Sequence, residues 1–537
     1  MKRNAVFEFK DFVINALDFV AKPITAQPLF FLLLYVLLNA LDLFYDGGFP
    51  NIGVDLKIPF GIFVCYLFVL PTIFLPVTLR LIYKLLIILF AIMQFVVDLY
   101  LVIMYGETFS TLHVDVLAAI VATNPLEVKE YINAYMTVEK VAIILLILFF
   151  LLTLFYYLNR LRIRITNIAK ILVSVMVIVT TIVSIVNYKS LMLGNIYFLL
   201  RTEAPDLSKH LHNPVIVSNG ETPDYVVLLV GESFAKSHSS LYGYDKETNP
   251  LLGEMVRDSS LYIYNDVTAS CTKTIQAFKS IMTSYIDEMS DSIKWYKCIT
   301  LIEIMKKNNY KTIWLSNQIR ESYFDNEVSR YAALCDEQVF ANERNGIYAY
   351  DECLIPIVNE YVNNDSLRQF IIINIMGSHL DYSGRYPQTR SVFTKDDYSS
   401  SHPNLPTKSK TTLAEYDNSI LYNDSVVYEI MRTFEKDDAV VVYFPDHGQD
   451  IFNTSNDYAG HGLNGNEESI NWAIDIPLMV YTSPLFKQKH PSLYQRIKNA
   501  TCTSPYRTDS IMYTIMDIAG IDSVNNISYK HKSLIKE

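Results

Sequence analysis

The sequence predicts a membrane-embedded helical domain followed by an α/β domain that carries the chemistry, and three observations lead there. Nearly all long apolar runs lie before residue 196 of the 537, and each is close to the length that spans a bilayer as helix. From residue 224 onward short apolar strands alternate with helical stretches, the pattern of a sheet covered on both faces. Two of those strands end in turns bearing carboxylates and an imidazole, and the ends of strands are where open α/β sheets keep their functional groups.

Residues 29–45, 58–79, 85–105, 141–158 and 169–187 are five apolar runs, of roughly 17 to 25 residues each and so candidates for five transmembrane helices. A long segment precedes the first run and no small-residue cleavage site follows it, so it reads as an uncleaved anchor. Lys2, Arg3, Lys10 and Lys22 precede that run, Arg80 and Lys84 lie between the second and third, and Arg160, Arg162, Arg164 and Lys170 lie between the fourth and fifth. Basic loops stay in the cytoplasm. The alternate loops hold acids such as Asp46, Asp55, Glu107, Asp115, Glu127 and Glu130, which places the amino terminus inside and everything after the fifth run outside. In a bacterium that is the periplasm or the outer cell surface.

Three segments follow from this: a transmembrane domain over 1–195, a polar bridge over 196–223 and a single exported domain over 224–537. Within the first, the outward loop 106–137 is amphipathic, breaks at Asn124 and Pro125, and is expected to lie along the outer membrane interface. Asp98 is an ionisable residue inside the third run, either a functional group or a residue near the interface. The net charge of -11 argues against a nucleic-acid partner. Of six cysteines, Cys65 falls in a span, while Cys271, Cys298, Cys335, Cys353 and Cys502 fall in the exported part, where disulfides persist. Their pairing stays open.

The strand Val440 to Phe444 is stopped by Pro445, so Asp446, His447 and Gly448 form a turn at its carboxyl end. Far upstream, the strand Val226 to Val230 ends in Gly231 with Glu232 directly after it. A surface turn would explain the first and an acid in a helix's first turn the second. Two buried strands each delivering such groups read better as a site for a divalent metal such as zinc, which takes carboxylate and imidazole ligands. Thr274 opens a helical pattern with Ile275, Phe278, Ile281 and Met282 on one face. Its hydroxyl is either a cap or, at a helix amino terminus beside a metal, a nucleophile for a phosphoryl group.

The segments GES at 231–233, GYDKETNP at 243–250, CTKTIQAF at 271–278, WLSNQ at 314–318, GSHLDYSGRYP at 377–387, YDNSILYND at 416–424, PDHGQ at 445–449 and GHGL at 460–463 occur in that order. With them the chain resembles the membrane phosphoethanolamine transferases that decorate bacterial lipopolysaccharide, including those that give polymyxin resistance. The resemblance covers almost the whole chain. It implies an inner-membrane protein whose α/β domain is alkaline phosphatase/sulfatase-like and faces the periplasm. It also implies that Glu232, Thr274, Asp446 and His447 bind zinc, that Thr274 is the nucleophile, and that His379 and His461 lie near a second metal or the substrate phosphate. Thr123 and Glu127 match positions that meet the lipid donor, although Ala119 stands where a small polar residue is common. The nucleophile segment departs from the CGTxT form of the lipid A enzymes and is closer to a TIEAL-type branch whose members often modify core sugars.

The reaction so implied takes phosphoethanolamine from phosphatidylethanolamine onto Thr274, releases diacylglycerol, and passes the group to lipid A or a core sugar of lipopolysaccharide. The acceptor and the number of zinc ions stay open. Two other enzymatic readings share the architecture: a phosphoglycerol transferase of the lipoteichoic acid synthase type, and a membrane-tethered sulfatase or phosphodiesterase. A non-enzymatic membrane sensor would require the metal ligands to be accidental.

Overall fold

A computed structural model describes residues 2–44, 54–105, 138–161, 163–187, 206–218, 222–286, 294–318, 320, 327–344, 349–364, 368–456, 458–461, 466–501 and 505–536. The chain divides into two compact units, a helical one of Met1–Val121 and Ile132–Glu203 and a second of Ala122–Tyr131 and Ala204–Glu537. The loop 106–137, with Thr123 and Glu127, lies outside the described residues, as does Cys502.

The helical unit contains α1 (Lys2–Thr25), α2 (Pro28–Phe44), α3 (Val54–Val69), α4 (Val77–Tyr105), α5 (Val138–Arg160) and α6 (Asn167–Val186). Three stretches, Val77–Leu99, Val141–Leu158 and Asn167–Val186, are long and apolar enough to cross a membrane. A fourth candidate is Asp11–Thr25 with Pro28–Asn39, a pair bent by 62°. Lys57–Ile73 is a further, shorter apolar helix, so among the described residues three or four helices are long and apolar enough to cross a membrane.

Prolines explain where the apolar runs and the helices part company. Pro28 opens α2, because a ring without an N–H costs nothing at a first helical position, and the segment ahead of it is itself helical. The run 58–79 is not one helix: α3 tightens into a 3₁₀ turn at Leu70–Ile73 and the helix restarts at Val77, just after Pro76. Arg80 and Lys84 therefore sit in the first turns of α4 rather than in a loop, with Lys84 buried and its ammonium 4.9 Å from the centre of the Phe30 ring. Asp98 is buried and accepts a hydrogen bond from Gln94 Nε2 at 3.1 Å. The amino-terminal helix is tied to the last one by Lys170 Nζ to Asp18 at 2.7 Å and by Ser174 Oγ donating to Leu17 O at 2.5 Å.

The second unit is built on a seven-stranded sheet. In chain order its strands are β1 (Tyr225–Gly231), β2 (Leu261–Tyr264), β3 (Lys311–Ser316), β4 (Glu337–Phe340), β5 (Gln369–Asn374), β6 (Ala439–Pro445) and β7 (Leu478–Thr482). Across the sheet the order is β2-β7-β6-β1-β5-β3-β4, with β7 antiparallel to both its neighbours and the other pairings parallel. The strands expected from continuous apolar runs are all present.

Alternation sends Val226, Leu228 and Val230 of β1 into one core and Tyr225, Val227 and Leu229 into the other, so both faces are covered. Helix α7 (Thr274–Met282) buries Phe278, Ile281 and Met282. Helix α8 (Thr407–Thr433) begins directly after Pro406, although the composition of 391–411, rich in Ser, Thr, Lys and Pro, is that of a surface loop. Cys298, Cys335 and Cys353 carry free thiols.

Candidate active site and metal centre

Register explains how residues more than 200 positions apart meet. β1 and β6 run parallel with Gly231 opposite Pro445, so the next residue of each chain leaves the sheet at the same level, and those residues are Glu232 and Asp446. Asp446 N donates to Gly231 O at 3.1 Å and locks the two exits together. His447 follows on the same turn, with its N–H donating to Asp446 Oδ1 at 2.8 Å.

The imidazole of His447 contacts Gly448 O through Nδ1 at 2.8 Å. A carbonyl only accepts, so Nδ1 carries the proton and Nε2 presents a lone pair. That lone pair faces Glu232 Oε1 at 3.4 Å, Asp446 Oδ2 at 3.5 Å and Thr274 Oγ1 at 3.5 Å. Thr274 Oγ1 also lies 3.4 Å from Glu232 Oε2. One ligand atom from each of Glu232, Asp446 and His447 falls within 4.8 Å of the others, and all three residues are buried.

This donor set fits a divalent cation. Asp446 Oδ2 is buried without a hydrogen-bond donor, and a second carboxylate faces it, an arrangement that is costly unless a positive charge lies between them. Burial, then Asp446, pushes the Glu232 carboxyl well above its ordinary range. Two hard oxygens and one borderline nitrogen suit zinc.

Thr274 is the first residue of α7 and does not cap it. The capping position belongs to Lys273, whose side chain makes no cap bond. The hydroxyl of Thr274 is half-buried and turned to the carboxylate and the imidazole. It therefore stands at a helix amino terminus, whose free N–H groups and dipole favour a phosphoryl group.

The ring of His461 packs against that of His447 with centroids 4.2 Å apart. Burial, then His447 and His379, holds His461 well below its ordinary value. Burial, then the Arg385 guanidinium, holds His379 at about 3. Both are neutral near pH 7 and so keep a ring nitrogen lone pair that could meet a metal or a hydrogen-bond donor. The three-ligand cluster itself is made of Glu232, Asp446 and His447, without His379 or His461.

Several residues shape the site in ways that the sequence alone does not assign. Ser233 takes a left-handed φ of 58° and turns its hydroxyl to Glu232 Oε1 at 2.7 Å. Gly377 has φ 52°, and a Cβ there would meet Glu232 O at 2.6 Å. Asp351, buried, accepts from Met376 N at 2.8 Å and Gly377 N at 2.9 Å and so fixes the turn that leads to His379. Gly448 is required for a reason other than turn geometry, because the backbone at 473–475 leaves a Cβ only 3.1 Å to Asp475 O and 3.2 Å to Ala473 O.

A family model described as sulfatase matches residues 224–521, more than half of the chain. The chain belongs to the sulfatase family. Among curated relatives, the phosphoethanolamine transferase EptC of Escherichia coli K12 is 28% identical over 312 residues, 56% of this chain and 52% of that protein. The chain thus spans about half the length of the relatives it matches. Among solved structures, the C-terminal periplasmic domain of EcEptC from Escherichia coli in complex with Zn shares 26% identity at a TM-score of 0.53, covering 61% of this chain and 89% of that one. The integral membrane lipooligosaccharide phosphoethanolamine transferase A of Neisseria meningitidis is 19% identical at a TM-score of 0.63, and covers 94% of this chain and 97% of its own. That likeness places a sulfatase-family domain after a helical membrane unit in one fold.

Proposed function

We propose that this chain is a zinc-dependent phosphoethanolamine transferase of the bacterial inner membrane, with five spans over 1–195, a bridge over 196–223 and a periplasmic catalytic domain over 224–537. Its donor is phosphatidylethanolamine and its acceptor lipid A or a core sugar of lipopolysaccharide. The observation that carries the reading is a hydroxyl at a helix amino terminus facing two buried carboxylates and a lone-pair imidazole nitrogen. The rest of the chain supplies apolar helices that suit lipid substrates. The EptC relative and the zinc-bound EptC domain support the activity and the metal.

Glu232, Asp446 and His447 would hold the zinc, with Thr274 beside them. When bound, the ion supplies positive charge that lowers the pKa of a neighbouring hydroxyl and offsets phosphate charge. Thr274 Oγ1 forms a bond to the donor phosphorus while the bond from phosphorus to the diacylglycerol oxygen breaks, and that oxygen leaves with a proton. The amino terminus of α7 holds the phosphoryl oxygens during transfer. In the second step the acceptor oxygen would form its bond to phosphorus as the bond from phosphorus to Thr274 Oγ1 breaks and the acceptor proton passes to Thr274, with His379 and His461 near the substrate phosphate or a second metal. Thr123 and Glu127 are assigned to the lipid donor.

The test is a trapped intermediate. Incubation with phosphatidylethanolamine and no acceptor should release diacylglycerol and add the mass of phosphoethanolamine to the peptide bearing Thr274, and Thr274→Ala should abolish both. Release of diacylglycerol by Thr274→Ala at the parental rate would make water or another hydroxyl the nucleophile and turn the reading toward a phosphodiesterase.

A further inference from the structure

Four consecutive residues of α8, Tyr416, Asp417, Asn418 and Ser419, are each at most 1% exposed. Successive side chains on a helix point about 100° apart, so one turn reaches four directions. Tyr416 OH donates to Ser233 O at 2.7 Å and accepts from Ala235 N at 2.9 Å. Asp417 accepts from Tyr244 OH at 2.6 Å and Tyr398 OH at 2.5 Å, and meets His238 Nδ1 at 2.7 Å. Asn418 Oδ1 accepts from Val392 N and Phe393 N. Ser419 Oγ donates to Tyr416 O at 2.6 Å and bonds Ser378 Oγ at 2.9 Å.

Two of these lines converge on one metal-ligand candidate. Ser233, held at its carbonyl by Tyr416, donates its hydroxyl to Glu232 Oε1 at 2.7 Å and its N–H to Asp446 Oδ1 at 3.3 Å. Ser378, bonded to Ser419, donates its N–H to Glu232 O at 3.0 Å. Ser233 keeps its left-handed backbone only because its neighbours fix it, and Tyr416 OH, bonded on both sides of Phe234, is the group placed to do so.

We propose that Tyr416 and Ser233 form a positioning relay that aims the carboxylates of Glu232 and Asp446 and thereby sets the affinity of this centre for a divalent metal. The relay rests on the reading of Glu232, Asp446 and His447 as metal ligands. Groups that orient metal ligands through hydrogen bonds typically change affinity by about 10-fold to 100-fold when removed.

Zinc dissociation constants of the full-length chain in detergent, stripped of metal and titrated against a chelating dye without substrate, test it. Tyr416→Phe keeps the ring that packs edge-on against His238 and Tyr382 and loses only the hydroxyl. Ser233→Ala removes the bond to Glu232. Both are expected to weaken zinc binding roughly 10-fold or more. Tyr398→Phe, which cuts a bond to Asp417 in the same turn without touching Glu232, should leave zinc affinity at the parental value. Parental affinity in Tyr416→Phe, or an equal loss in Tyr398→Phe, would overturn the relay while leaving the metal reading intact. A parental chain that binds no zinc would overturn both. Should Ser233→Ala fail to fold, Tyr416→Phe decides alone.

Discussion

His447 owes its tautomer to a single carbonyl, since Nδ1 is committed to Gly448 O and only Nε2 remains for a metal. Asp446 stands beside it with one oxygen receiving the backbone and the other bare. Asp446→Asn keeps the shape and the backbone acceptor but places a neutral amide where a charged ligand stood. Bound zinc and transfer activity are expected to fall by roughly 10-fold or more while the melting profile stays cooperative; full metal content by elemental analysis would refute the ligand assignment. A second residue carries a pH signature. Burial, then Asp381, raises the Glu415 carboxyl to about 7, against an ordinary value of about 4.3. The folded chain keeps a proton there that the unfolded chain has released, so stability falls as pH climbs from about 4.3 toward that raised value, and the loss persists above it. Glu415→Gln should therefore raise Tm at pH 8 and leave it nearly unchanged at pH 4.5. A lower Tm at pH 8 would mean that the ionised carboxylate is stabilised by a partner. At this scale Glu232, Asp446, His447 and Thr274 were legible because each abuts a run whose period or apolarity is visible. Ser233, Asp351 and Tyr416 were not, because their parts are fixed by partners 25 or more positions away.

The strands were legible as elements because a strand buried on both faces is a continuous apolar run, as Val226 to Val230 and Val440 to Phe444 are. Their order across the sheet was not, since nothing local in β1 says that it lies between β5 and β6. The start of α8 was not legible for a related reason: Thr407 to Thr411 is polar, and helix and loop share that composition. The turn after β5 depends on one element-level contact, the approach of Gly377 to the backbone of Glu232. A Cβ would sit 2.6 Å from Glu232 O and 2.8 Å from Glu232 N in a left-handed conformation, which alone costs an L-residue about 1–2 kcal/mol. Gly377→Ala is thus expected to lower Tm and, because the push falls on Glu232, to weaken zinc binding more than Gly384→Ala, whose Cβ would meet nothing within 4 Å. Equal zinc affinity in the two variants would show that the turn absorbs the methyl group without moving the ligand.

For the whole molecule, the pairing of a sulfatase-family domain with apolar helices poses the question of what the membrane half adds. The charge asymmetry of the loops answers the first part. Under the proposed five-span topology, four basic residues ahead of the first apolar run and four around 160–170 would hold those ends in the cytoplasm, and residue 204 onward would then lie on the other side. A reporter active only outside the cytoplasm should be active when fused after Asn187 and silent when fused at Arg162; the reverse would put the site in the wrong compartment for lipopolysaccharide. Tethering answers the second part. The proposed donor and acceptor are both lipids, so a domain fixed to their surface would meet them at a high effective concentration without forming any new contact. Residues 224–537 expressed alone should then bind zinc with the affinity of the full chain, because Glu232, Asp446, His447 and the Tyr416 hydroxyl all lie within that span. Transfer from phosphatidylethanolamine in vesicles should fall by roughly 100-fold or more, in line with the gain that linkage gives. Loss of zinc binding along with activity would locate part of the metal centre in the helical unit, and undiminished transfer on vesicles would remove the reason proposed for the helices.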